Sequence, residues 1–115
     1  AILSTLTKKV ITLEVLNTLS MKAQKKLKML GYDNVNCYCA DGKNGFPKEA
    51  PYDRILVSAA PEIIPEDLIK QLAPNGCMVI PVGSLYDQFI YIITKDKNNQ
   101  VHMKKSTPVR FVPLV

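Results

Sequence analysis

Short apolar runs separated by polar turns pattern this chain, and each run predicts one element. Val10 to Leu13 is apolar and rich in β-branched residues, which predicts a strand. Leu16, Leu19, Ala23, Leu27 and Leu30 then recur at three- and four-residue steps, predicting an amphipathic helix that Gly31 stops. Val35 to Cys39 predicts a second strand and, after the turn-rich DGKNGFPKEAPYD, Arg54 to Ser58 predicts a third. Pro65 sits at a first helical turn, with Glu66 and Asp67 where the helix dipole favours anions. They open a short helix carrying Leu68, Ile69 and Leu72, which Ala73 to Gly76 end. Met78 to Pro81 predicts a buried strand. Gln88 to Thr94 and Val109 to Leu114 predict two more, with the hairpin-like KDKNNQ between them.

The resulting order, β-α-β-β-α-β-β-β, fits an α/β fold: an open, mostly parallel sheet covered by helices and ending in a C-terminal antiparallel pair. No internal repeat or low-complexity tract interrupts it. With 115 residues, 47% of them hydrophobic and 22% charged, the chain has the size of one domain, residues 1–115, with one core.

Composition removes several function classes. Apolar runs such as Phe89 to Ile93 are far below the roughly 18 residues that span a bilayer. The first residues, AILSTLTKKV, lack the basic start and cleavage site of a secretory signal, so a cytoplasmic location and no membrane partner are expected. Three cysteines, Cys37, Cys39 and Cys77, give no pairable framework and suit a reducing compartment. Cys37 and Cys39 have no companion Cys or His pair at zinc-ligand spacing, so no metal is expected. His102 is the one histidine and reads as a surface strand residue rather than half of a Cys/His nucleophile pair. The formal charge of +5 raises the idea of a basic nucleic-acid-binding module. However, Lys22, Lys25, Lys26 and Lys28 lie on the wet face of the predicted helix without interleaved aromatic residues, so nucleic acid is not an expected partner.

In open parallel sheets, ligands bind beyond the carboxyl ends of the strands. Glu14 falls at the end of the first strand, Asp41 and Gly42 just after the second, and Ser58, Ala59 and Ala60 at the end of the third. A carboxylate in that position accepts hydrogen bonds from vicinal ribose hydroxyls, Asp41 suits the exocyclic amine of a base, and Gly42 admits a flat ring close to the backbone. The small residues at 58–60 leave room for the rest of a ligand. Against these stand plainer roles. Glu14 suits a pre-cap of the helix that begins near Asn17, and Asp-Gly is a common turn.

The segment DGKNGFPKEAPYDRILVSAAPEIIPEDLIKQLAPNGCMVIPVGS, with ITLE at 11–14 and TPVRFVPLV at the end, resembles the protein-L-isoaspartate O-methyltransferase family over essentially the whole chain. The resemblance implies a partial Rossmann-like S-adenosylmethionine-dependent methyltransferase fold. It implies transfer of a methyl group to the free carboxylate of L-isoaspartyl and D-aspartyl residues, so that isoaspartyl-containing proteins and peptides are the partners. It assigns S-adenosyl-L-methionine as cofactor, with Glu14 as the ribose-binding acid and Asp41 with Gly42 on the adenine side. Val109, Arg110, Phe111 and Val112 match the segment whose backbone helps hold the isoaspartyl peptide. No acid–base dyad is expected, because a carboxylate is already a competent nucleophile toward a sulfonium methyl group.

One departure accompanies the resemblance. The family's glycine-rich cofactor loop and a central strand between those at 10–14 and 54–58 have no counterpart here, so a chain truncated at its N-terminal side is expected. Exposed sheet edges would then permit self-association. A truncated, non-catalytic methyltransferase-like binding domain is the alternative function.

Overall fold

The computed structural model describes residues 1–115. It divides into two compact units, Ala1–Gly42 and Lys43–Val115.

The first unit is a β-α-β. Strand β1 (Val10–Glu14) leads into helix α1 (Asn17–Met29), and strand β2 (Val35–Cys39) returns parallel to β1, with Val10 opposite Val35 and Glu14 opposite Cys39. Gly31 ends α1 as expected, at φ +83°. Tyr32 N–H reaches Leu27 O at 3.0 Å and Gly31 N–H reaches Lys28 O at 3.2 Å. This pair of bonds satisfies carbonyls that a helix end otherwise leaves bare, and it needs the left-handed conformation that glycine adopts without strain. Asn34 then fastens the returning chain: its Nδ2 donates to Ser4 O at 2.7 Å and Thr7 O at 3.0 Å, and its carbonyl accepts from Val10 N–H at 2.9 Å. The lysines of α1 are exposed, as their spacing predicts, but much of the apolar stripe is exposed too. Leu16, Leu19, Ala23 and Leu30 all face water, and only Leu27 of the five is half-buried. Two strands offer too narrow a surface to cover the whole stripe of the helix above them.

The second unit holds a four-stranded sheet ordered β3 (Tyr52–Leu56), β4 (Leu72–Ser84), β5 (Asp87–Lys95) and β6 (Val101–Val109). β3 runs parallel to β4, whereas β4–β5 and β5–β6 are antiparallel. Helix α2 (Glu66–Lys70) crosses from β3 to β4, with Pro65 preceding it and Glu66 and Asp67 in its first turn. Leu68 of α2 packs with Leu72, Met78, Ile80 and Ile93 to form the core. Met78 and Ile80 alternate along β4 with half-buried Cys77 and Val79, so one face of the strand is sealed by the helix side. β4 begins six residues before its expected start because Gln71 O and Leu72 pair with Tyr52. Ala73 to Gly76 then form a bulge in which Asn75 takes φ +62°.

The element order and α/β class match the expectation, as do the parallel pairs giving way to antiparallel pairing. Besides the early start of β4, which takes Leu72 from the expected helix, and a third strand at Tyr52–Leu56 rather than 54–58, two larger particulars differ. The strands form two sheets, since β1 pairs only with β2 and β3 only with β4. The last strand is Val101–Val109, not 109–114. Along VHMKKSTP both faces are exposed, so no apolar alternation marks the strand, and its partner β5 supplies the ladder that local pattern does not.

Candidate functional site

The parallel register of β1 and β2 brings the adenosine-side candidates to one edge. Glu14 closes β1 opposite Cys39, the last residue of β2, and Ala40 N–H donates to Glu14 O at 3.1 Å, which carries the pairing one residue further. Asp41 follows directly, and Gly42 opens the 3-10 turn Gly42–Asn44. All three are half-buried. Glu14 Oε1 accepts from Leu16 N–H at 3.0 Å, ahead of α1. The plainer reading of Glu14 therefore holds for one of its oxygens: it caps the chain entering the helix. A carboxylate offers about four acceptor directions, so a single backbone bond orients the group while leaving capacity for hydroxyl donors. Two acids at neighbouring strand tips, beside a glycine, form an acceptor set of the kind that ribose hydroxyls or an exocyclic amine would meet.

The peptide-side candidates occupy the second unit. Val109 is the last residue of β6, opposite Gln88. Arg110 lies with its guanidinium 5.9 Å from the ring centre of Tyr86. Phe111 is held at both ends of its peptide by Gln88: Phe111 N–H donates to Oε1 at 2.7 Å, and Nε2 donates to Phe111 O at 3.1 Å. Val112 O accepts from Ala60 N–H at 2.7 Å, and Leu114 N–H donates to Ala60 O at 3.0 Å, around a single parallel bridge from Ala60 to Pro113. The small side chain at 60 thus admits the chain's own last residues, rather than the open room expected from Ser58, Ala59 and Ala60.

Two glutamines escaped the sequence reading. Gln71 and Gln88 are both buried and both spend their amides on backbone. Gln71 Nε2 donates to Asn44 O at 2.9 Å, and its Oε1 accepts from Phe46 N–H at 2.9 Å. A signal existed in each case, a glutamine embedded in an apolar run (LIKQLA and DQFIYI). Burial pushes the Cys37 thiol up, against a smaller opposing effect of the N-terminal ammonium, so it is a poorer nucleophile than an ordinary thiol.

Solved structures define the class. A Plasmodium falciparum chain, described as a protein-L-isoaspartate O-methyltransferase in complex with S-adenosyl-L-homocysteine, superposes with a TM-score of 0.79 at 29% identity, over 93% of this chain and 52% of that one. A second protein-L-isoaspartate O-methyltransferase gives 0.82 at 26% identity, over 91% and 33%. The fold is that of this class of α/β methyltransferases. Residues 1–115 match the family model of protein-L-isoaspartate(D-aspartate) O-methyltransferase, and the chain belongs to that family. Curated relatives include protein-L-isoaspartate O-methyltransferase 2 of Archaeoglobus fulgidus, 50% identical over 106 residues, covering 92% of this chain and 48% of the relative. The namesake from Nitrosococcus oceani is 42% identical over 114 residues, covering 99% and 52%. The chain spans about half the length of these curated relatives.

Proposed function

We propose that this chain provides the adenosine-side and peptide-side surfaces for methyl transfer from S-adenosyl-L-methionine to the free carboxylate of L-isoaspartyl and D-aspartyl residues in damaged proteins. The observation that carries the reading is the shared edge: the β1–β2 register sets Glu14 and Asp41 at adjacent carboxyl ends of parallel strands, where nucleotides bind in folds of this type. Glu14, oriented by Leu16 N–H, would accept from the ribose hydroxyls. Asp41 would accept from the adenine amine, with Gly42 beside the ring. When bound, the cofactor supplies an electrophilic methyl group on a sulfonium centre.

No general base is required of the chain, because the isoaspartyl carboxylate is ionised at neutral pH. The chain's contribution is alignment of that carboxylate and exclusion of water, and well-oriented reactants gain about 7–11 kcal/mol from such placement. Val109 to Val112 would hold the peptide through its main chain, while the Arg110 guanidinium draws in an anionic substrate. The methyl ester so formed is attacked by the next peptide nitrogen, methanol leaves, and the resulting succinimide hydrolyses in part to normal aspartate. A reducing cytoplasmic setting accords with three free cysteines.

Calorimetric titration with S-adenosyl-L-homocysteine tests the reading. Binding is expected, and Glu14→Gln or Asp41→Ala each weakens it by about tenfold, the loss of one hydrogen bond to a charged group. Labelled methyl groups then pass to an isoaspartyl peptide and not to its aspartyl isomer. Absence of binding overturns the reading. Binding without transfer leaves a non-catalytic, cofactor-binding member of the family.

A further inference from the structure

We propose that Gln88 is a positioning residue for the isoaspartyl peptide, setting the path of the segment that receives it. The inference rests on the reading above that Val109 to Val112 hold the peptide.

The β5–β6 ladder ends where Gln88 pairs with Val109. Beyond that point the backbone of β5 no longer accompanies the chain, and the side chain of Gln88 takes over. Its carboxamide accepts from Phe111 N–H and donates to Phe111 O, the same two bonds that a neighbouring strand would exchange with that residue. The segment is thereby fixed at Val109 by the ladder, at Phe111 by the amide, and at Val112 by Ala60. Arg110 lies between the first two anchors. Gln88 itself is 3% exposed, on a strand otherwise rich in Phe, Ile and Tyr. A buried carboxamide is costly unless both ends are matched, and here both are matched to the N–H and C=O of one residue. Leu or Ile would serve packing alone. An amide serves placement of a particular stretch of main chain.

The test uses the full chain with Gln88→Met and Gln88→Glu, measuring affinity for an isoaspartyl hexapeptide and, separately, for S-adenosyl-L-homocysteine. Methionine keeps the length and loses both bonds. Glutamate keeps the acceptor when ionised, but its charge then faces Phe111 O. When protonated it again donates and accepts, and burial raises its pKa so that this form is reached in mild acid. Peptide affinity is expected to fall about tenfold or more in Gln88→Met, and in Gln88→Glu at alkaline pH. Cofactor affinity stays within about twofold, as for a residue whose amide bonds go to the peptide-side segment alone. Gln88→Glu recovers relative to the wild type as the pH is lowered, whereas Gln88→Met does not. Unchanged peptide affinity in a folded, cofactor-binding Gln88→Met overturns the proposal and leaves the function intact. If Gln88→Met does not fold, a Gln88→Glu affinity that tracks the wild type at every pH overturns it instead. A wild-type chain that binds the cofactor product but no isoaspartyl peptide overturns the peptide-side reading and this proposal together.

Discussion

The two units of the chain are stabilised by different means. Every buried apolar residue of the core, Ala60, Leu68, Leu72, Ala73, Met78, Ile80 and Ile93, lies in Lys43–Val115. In Ala1–Gly42 the buried residues are Ser4 and Ser20. Removal of apolar surface from water is the main favourable term in folding, so the second unit carries its own driving force. The first relies on a parallel ladder, the cap at Gly31 and the clasp of Asn34. The proposed adenosine contacts sit on this thinly buried unit, so a ligand bound there would be a large part of its stabilisation.

The largest effect that bears on this contrast is expected in the core. Ile93→Ala should cost about 2–5 kcal/mol by loss of buried volume, read by urea denaturation with a fluorescent or dichroic probe. A cost under about 1 kcal/mol would erase the distinction between the units. Next comes ligand linkage. With S-adenosyl-L-homocysteine at a hundredfold above its dissociation constant, amides of β1 and β2 should gain protection worth about 2.7 kcal/mol in hydrogen exchange, while Met78 and Ile80 change little.

Smaller still, Leu27→Ala on α1 should cost about 1 kcal/mol or less, since the residue is only half-buried. The contrast sharpens if the same substitution at Leu68 costs several times more.

The smallest effect concerns the hairpin between β5 and β6. Asp96 Oδ1 accepts from Asn98 N–H at 2.8 Å and Gln100 N–H at 3.0 Å, and Oδ2 lies 3.2 Å from His102 Nε2. The Gln100 hydrogen bond, followed by the one to His102, holds the Asp96 carboxyl below the usual carboxylate range. A carboxyl with a depressed folded pKa contributes stability in full above its unfolded value, and that contribution fades as pH falls through the lower, folded one. NMR titration should show the low pKa together with smaller protection factors at Asn98 and Gln100 in acid. Asp96→Ala should remove the pH dependence of that protection.

How far the sequence carried each region follows the same physics. β1, α1 and β2 were legible because periodicity and Gly31 are local signals. The place of Glu14 and Asp41 at adjacent strand ends was legible because a parallel β-α-β brings those ends together by topology. The extent of α1's exposure was not, since it depends on the width of the sheet beneath it. β6 was missed because a strand wet on both faces has no period-two pattern, and its residues 101–108 are all exposed. The role of Gln88 needed coordinates: a glutamine among isoleucines announces that something is bonded, but the partner, Phe111, is 23 residues away.

One border of the larger sheet has a consequence for behaviour at high concentration. β6 carries Lys104, Lys105 and Pro108, and the Lys105 ammonium rests 3.9 Å from the ring centre of Phe89. Charge repulsion and a missing N–H make that rim a poor template for a neighbouring molecule. Stripping that rim of its charges, as in Lys104→Thr with Lys105→Thr, should therefore make crowded solutions of the protein associate sooner than those of the parent chain.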